Sequence, residues 1–256
     1  MKKKPHETEA ALVIRSNNAE RIANEIAALD TLGANRLESP ETQRIHDIYF
    51  DTREQALQKQ KLALRIRALN GETLITLKGP SRRQAGGAQE RLEIEAPWSR
   101  QALARVVREL RDRKIAVAMP RQSFAQDDAI ATLTRLGFRI VQDRMTRRRA
   151  RQVVARAAPQ ATLAELAVDA VTFRFGKQRV RLHEIEIEAK TPRARLGDLA
   201  RRLETMFKPA LRPWHSKLAT GKAIQTLLAK GALTKLLDDK NNLKPAAYDR
   251  ISRYLK

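Results

Sequence analysis

Residues 61–78 read K-L-A-L-R-I-R-A-L-N-G-E-T-L-I-T-L-K. Two alternating apolar runs, 61–69 and 72–78, flank Asn70-Gly71. That dipeptide suits a two-residue turn with positive φ at both positions, so the stretch predicts an antiparallel hairpin. Within its first strand Leu64 and Ile66 point one way, while Arg65 and Arg67 point the other.

The same pattern of charges at i and i+2 recurs along the chain. Glu7 and Glu9 open the alternating run 7–15. Glu93 and Glu95 lie in R-L-E-I-E. Arg147 and Arg149 lie in T-R-R-R-A-R. Glu184, Glu186 and Glu188 lie in H-E-I-E-I-E-A-K. One such pair is an ordinary solvated strand face; five strands with it call for a common cause. Further strands are expected at 43–50, 138–156, 162–175 and 179–190, giving about eight, mostly in sequential order. A sheet of this kind removes its edges by closing on itself. The apolar faces then pack against outer helices and the charges point inward. An interior of both signs is costly to desolvate unless it is wet and binds ions.

Helices are expected after Asn17 or Asn18, with apolar positions 22, 26 and 29 and a stop at Gly33, and again at 99–113, 127–136 and 191–207, the last with Pro192 in its first turn. A short helical turn follows Asp51. Residues 81–88 read as a polar loop, and 115–124 as a crossing between two halves. From Ser216 the chain reads as helical to its end. There is no G-x-G-x-x-G, no P-loop and no regular β-α-β alternation, which argues against a parallel nucleotide-binding sheet.

Among 256 residues, Lys and Arg number 51 and Asp and Glu 29, a formal charge of +22. That field favours polyanions. Hydrophobic residues, at 42%, suffice for a sizeable core. No cysteine is present, which excludes disulfides and thiolate chemistry. No apolar run approaches a membrane span, and the basic start lacks the apolar segment of a signal peptide, so a cytoplasmic address is expected. His6, His46, His183 and His215 have no zinc-site spacing. Carboxylates alone suit Mg²⁺ or Mn²⁺, and guanidinium groups suit phosphate oxygens, so the two signs together point to a clamped phosphate chain and phosphoryl hydrolysis.

In order, E-T-E-A-A (7–11), I-H-D-I-Y-F-D-T leading to L-R-I-R (45–67), T-L-K-G (76–79), E-R-L-E-I-E (90–95), A-V-D-A around Asp169, H-E-I-E-I-E-A-K (183–190) and W-H-S-K-L-A-T-G (214–221) resemble the motifs of the CYTH proteins, also called triphosphate tunnel metalloenzymes. The match covers roughly residues 6–221. The resemblance implies an α+β fold, a closed eight-stranded antiparallel β-barrel forming a tunnel, with flanking helices. It implies a tunnel domain over 1–221 and a helical extension over 222–256. Among the family's bacterial branches the pattern is closest to the inorganic triphosphatases. The expected activity is divalent-metal-dependent hydrolysis of a triphosphate substrate, inorganic triphosphate first. Class IV adenylate cyclase, thiamine triphosphatase and a non-catalytic tunnel binding polyphosphate or nucleic acid are the alternatives.

The resemblance also assigns roles. Glu7, Glu9, Asp169, Glu184, Glu186 and Glu188 are the expected metal ligands. Arg65, Arg67, Lys78, Arg147, Arg149 and Lys217 are expected to hold the triphosphate. Glu93, Lys78 and Arg65 are expected at the reacting phosphate, with Glu93 orienting a metal-bound water or a basic neighbour. Ala11 stands where the family pattern carries lysine. Either a nearby base such as Arg15 fills that gap, or the enzyme is slower or altered in substrate choice, and Ala11→Lys is expected to raise tripolyphosphatase activity. The tail 222–256 holds eight Lys or Arg against three Asp and reads as a packed helical extension.

Overall fold

The computed structural model describes residues 6–83, 88–117, 128–156, 158–192 and 194–255. Strand β1 (His6–Ile14) is followed by helix α1 (Ala19–Ala27), the short strands β2 (Thr31–Leu32) and β3 (Asn35–Leu37), and β4 (Glu41–Thr52). After α2 (Ala56–Lys59) come β5 (Ala63–Leu69), β6 (Glu72–Arg83) and β7 (Gln89–Pro97). Helices α3 (Arg100–Asp112) and α4 (Ala129–Arg135) lead to β8 (Phe138–Ala155), β9 (Ala158–Phe175) and β10 (Gln178–Ala189). The chain ends with α5 (Leu196–Met206), β11 (Leu211–Pro213), α6 (Lys217–Ala229), a 3-10 turn at Thr234–Leu236 and α7 (Pro245–Ser252).

Eight strands form a closed antiparallel barrel in the order β8-β4-β5-β6-β7-β1-β10-β9, and β9 pairs back to β8. The β5–β6 hairpin turns at Asn70 and Gly71, whose φ values are +51° and +87°. Both conformations are left-handed, and this is the turn whose twist matches that of its strands. Ser99 caps α3, its Oγ accepting from Ala102 N–H at 3.1 Å, and Asp128 caps α4 in the same way.

Two apolar layers lie outside the barrel. Ile22 and Ile26 of α1 and Leu199 and Leu203 of α5 pack on Leu12, Ile185 and Ile187. Leu103, Val106 and Leu110 of α3 pack on Leu64, Ile75 and Leu77. Each such side chain contributes roughly 1.5–3 kcal/mol by leaving water. A third layer is inside. Val13, Val171, Phe173, Val180 and Leu182 share the face of the inward charges but sit at one end, where Ala223, Ile224 and Leu227 of α6 and Tyr248 and Ile251 of α7 meet them. One end of the barrel is therefore plugged by the C-terminal helices.

Several expectations are corrected here. Helix α5 begins at Leu196, so Pro192 precedes it. The tail is not continuously helical: Gly231, at φ +64°, ends α6. An antiparallel bridge, Leu237–Leu243, then precedes Pro245 at the first turn of α7. Residues 81–83 extend β6, whereas 84–87 of the expected loop and 118–124 of the expected crossing lie outside the described residues. The expected domain boundary at 221–222 falls inside α6.

Gly221 explains how α6 enters the barrel end. A Cβ there would lie 2.0 Å from Gln142 Nε2 and 2.8 Å from Phe173 Cε1. Lys217 lies one helical turn earlier on the same side, so the close approach at Gly221 sets Lys217 into the cavity. Gly221→Ala should push α6 outward and cost about 1–3 kcal/mol, read as a lower urea midpoint. An unchanged midpoint would show that Gln142 gives way instead.

Candidate functional site

The open part of the barrel holds a cavity of about 910 Å³. Among the described residues ten Lys or Arg side chains and eight Asp or Glu side chains line it. They come from alternate positions of the barrel strands, as the period-two geometry demands, together with residues at and near α2, α6 and the C-terminus.

One wall is built around Asp47 of β4, which is 1% exposed. Its carboxylate accepts two hydrogen bonds from Arg67, at 2.8 and 3.1 Å, and one from Arg144. Arg65 stands 3.8 Å away. Arg65 also donates to Glu95 at 3.1 Å and to Thr76 at 3.2 Å. The Arg144 guanidinium donates to the Tyr49 hydroxyl at 3.1 Å and lies 5.1 Å over the Tyr49 ring. Burial alone would raise the Asp47 carboxyl; Arg65, Arg144 and Arg67 outweigh it and hold the group well below the ordinary aspartate range.

Across the barrel, Lys78 Nζ donates to Glu7 at 2.6 Å and lies 3.1 Å from Glu93. Arg91 bridges Glu7 and Glu9, its bond to Glu9 being 2.8 Å. Burial pushes Glu93 up to about 7, helped by the hydrogen bond it donates to Glu7. Glu7 moves the other way: the bond from Glu93, then Lys78 and Arg91, overcome its burial. Burial raises Glu9, and its neighbours Glu186 and Glu7 push the same way against Arg91 and Lys78.

A third group lies near the plug. Arg148 donates to both oxygens of Asp169, at 2.9 and 2.8 Å, and to Glu186. Lys217, 8% exposed, stands 3.1 Å from both Asp169 and Glu184 and also contacts Glu186. These three carboxylates raise its pKa against the effect of burial.

The cavity thus brings together Glu7, Glu9, Arg65, Arg67, Lys78, Glu93, Asp169, Glu186, Glu188 and Lys217. Three expected residues are not on it. Arg147 is exposed and Arg149 lies on the same outer face, because the inward residues of β8 are Arg144, Thr146 and Arg148. Three consecutive arginines hide the phase of the strand. The register with β9, which sets Arg148 opposite Asp169, decides it. Glu184 is 1% exposed, beneath Lys217, and burial with the adjacent Glu186 pushes it up to about 7 against Lys217. Arg15 does not fill the gap at Ala11: it pairs with Asp249 of α7 at 2.6 Å. Trp214 N–H donates to the Ala11 carbonyl, and Lys217 contacts Glu186, the cross-strand partner of Ala11. The cation at that level of the barrel is Lys217.

Asp47, Tyr49, Arg91, Arg144 and Arg148 went unread in the sequence. Asp47 and Tyr49 alternate within I-H-D-I-Y-F-D, and Arg91 precedes Glu93 by two, so the period-two rule would have found those three. Asp51 shares that alternation but does another job, accepting from Leu57 N–H and Gln58 N–H to hold α2.

The oxygen-only donors Glu7, Glu9 and Glu186 suit a hard divalent ion in chemistry and in crowding of negative charge. Among the described residues no three carboxylates converge at metal-holding geometry. Arg91 bridges one pair and Lys217 draws together Asp169, Glu184 and Glu186. An ion would take over contacts that these cations now make.

A family model described as the CYTH domain matches residues 6–220. No curated protein matches. Among solved structures, the putative adenylyl cyclase HpAC1 from Hippeastrum, reported to have a dominant triphosphatase activity, superposes with a TM-score of 0.51 at 19% identity, over 85% of this chain and 95% of that one. PH1819 from Pyrococcus horikoshii OT3 gives 0.46 at 20% identity, over 87% and 99%. The S. pombe Pct1 RNA triphosphatase gives 0.36 at 11%, over 98% and 84%. No helix among the described residues is long and apolar enough to cross a membrane.

Asp47→Asn leaves three buried or half-buried guanidinium groups short of their shared counter-charge. We expect a loss of about 3–5 kcal/mol in urea unfolding, the cost of breaking a buried pair from one side. Because the folded carboxyl is depressed, its contribution is full above about 3.8, the ordinary aspartate value, and is lost as pH falls further. The deficit of the variant should therefore shrink only in acid.

Proposed function

We propose that this chain, which belongs to the CYTH domain family, binds and hydrolyses a triphosphate chain inside its barrel, with inorganic triphosphate as substrate. The observation that carries the reading is the lattice of inward Arg, Lys, Asp and Glu side chains along a cavity plugged at one end. The lining is dominated by charges, and the ring of Tyr49 is already covered by Arg144. The groups present recognise phosphate rather than a base or a ring system.

Arg65, Arg67, Arg144 and Arg148 offer forked donors to phosphate oxygens, and Lys78 and Lys217 offer point charges. Each is held by a carboxylate, so a phosphate chain exchanges one anionic partner for another instead of entering an empty field. That exchange limits the desolvation cost of binding. Glu7, Glu9 and Glu186 would hold a divalent ion, Mg²⁺ or Mn²⁺, which would neutralise phosphate charge and polarise the phosphoryl group. Glu93, titrating near 7 beside Glu7 and Lys78, is positioned to accept a proton from an attacking water. Arg65 and Lys78 flank Glu93 and would stabilise charge on the transferred phosphoryl oxygens.

The test is phosphate release from tripolyphosphate with Mg²⁺ or Mn²⁺, run beside ATP and thiamine triphosphate. Release by the wild type should fall to background in Glu7→Ala/Glu9→Ala. Equal release by that double variant, or faster turnover of ATP to cyclic AMP, would overturn the reading. With Lys217 already contacting Glu186, the cross-strand partner of Ala11, we expect no gain from Ala11→Lys. A second ammonium beside Lys217 would compete for Glu186, so the rate should be unchanged or lower; a clear increase would show that Lys217 does not serve that position.

A further inference from the structure

The tunnel does not account for the charge of the chain. Its lining has a formal surplus of two positive charges, whereas the whole chain carries +22. Most of the excess therefore lies elsewhere, and the outer faces of β4, β8, β9 and β10 concentrate part of it. Along β8 the outward residues include Met145, Arg147 and Arg149. The register sets Arg44 directly opposite Arg147, and Arg174 directly opposite Arg179. Arg181 lies two residues beyond Arg179 on the same face. Like charges directly opposite on neighbouring strands are unfavourable. Arg149 shows the same crowding: burial and the neighbouring Arg147 hold its pKa below the ordinary value, with only Glu20 of α1 opposing.

Among the described residues two carboxylates reach this face, and they compensate only part of it. Asp143 is engaged by His46 at 2.9 Å and by Arg174 at 3.5 Å. Glu20 stands at the edge near α1. Among the described residues Arg44, Arg147, Arg149 and Arg181 form no ion pair. Arg44, Arg147 and Arg181 are exposed, with the exposed Met145 (37%) among them. Cationic and short of its own anions, the face is complementary to a polyanion lying across the strands.

We propose that this outer sheet face binds linear inorganic polyphosphate, at a site separate from the tunnel. The chemistry favours a bare phosphate chain over nucleic acid. Among the described residues no exposed Phe, Tyr or Trp on these rows offers a base a stacking surface, and His46 is held by Asp143. Among the described residues no helix or ribbon rises from the face to enter a groove. Arginine forks, by contrast, need only phosphate oxygens.

Binding is measured with the full chain and labelled long-chain polyphosphate in EDTA, so that no turnover enters, across a salt series. Single-stranded poly(U) RNA and duplex DNA at matched phosphate concentration serve as rivals. The wild type should bind polyphosphate more tightly than either nucleic acid, with affinity falling steeply as salt rises. Arg44→Glu/Arg147→Glu/Arg181→Glu should weaken binding by about tenfold or more, because three attractions become repulsions, and should leave tripolyphosphate hydrolysis unchanged. Arg65→Ala/Lys78→Ala in the tunnel should weaken polyphosphate binding less than the outer-face variant does. Undiminished binding in the triple variant, an equal or larger loss of binding in the tunnel variant, or tighter binding of poly(U) would each overturn the proposal. Because the binding arm involves no hydrolysis, its failure is distinguishable from failure of the catalytic reading.

Discussion

The hydrogen-bond ladder between β8 and β9, from Asp143–Arg174 to Ala155–Ala158, turns a curved sheet into a ring. Before closure the charged face of each strand would be an ordinary solvated surface, where an ion pair is worth little. After closure the same side chains face one another across a confined space, where their fields are screened far less. That pairing is a long antiparallel hairpin; the non-local pairings β4–β8, β1–β7 and β1–β10 complete the ring with it, and the chemistry of the interior depends on all of them. Closure also explains why the apolar faces of nearly every strand look outward, toward α1, α3 and α5, in an inversion of the usual small barrel.

An interior of this kind is stable only because its charges answer each other. Asp47 serves Arg65, Arg67 and Arg144; Lys78 and Arg91 serve Glu7 and Glu9; Arg148 and Lys217 serve Asp169 and Glu186. Each set is a local compensation that a phosphate or a divalent ion can replace. Carboxylates and bases of the cavity therefore lie interleaved rather than segregated.

The C-terminal helices give the barrel its direction. Phe173, Leu182 and Val13 close one end against Ile224 and Tyr248, so the charged cavity communicates with solvent elsewhere. Gly221 permits the approach of α6, and Lys217 rides on it to Asp169 and Glu186. A cut at the middle of α6 would expose that apolar end.

Much of this was legible in the order of residues. Alternation at period two marks a strand wherever it occurs, and Asn70-Gly71 forces a turn whatever surrounds it. Arg65, Arg67, Glu7, Glu9 and Glu93 could be placed inward because each sits among apolar neighbours of opposite phase. Other features needed the third dimension. Arg147, Arg148 and Arg149 have no phase of their own, so only pairing with Asp169 selects Arg148. Glu184 reads like Glu186 and Glu188, but its depth is set by α6 lying over it. The partner of Arg15 is 234 residues away in sequence, in α7. Local periodicity determined which residues could share a face; only closure of the ring and docking of the plug decided which of them share a site, because those contacts join strands and helices that are remote in the chain.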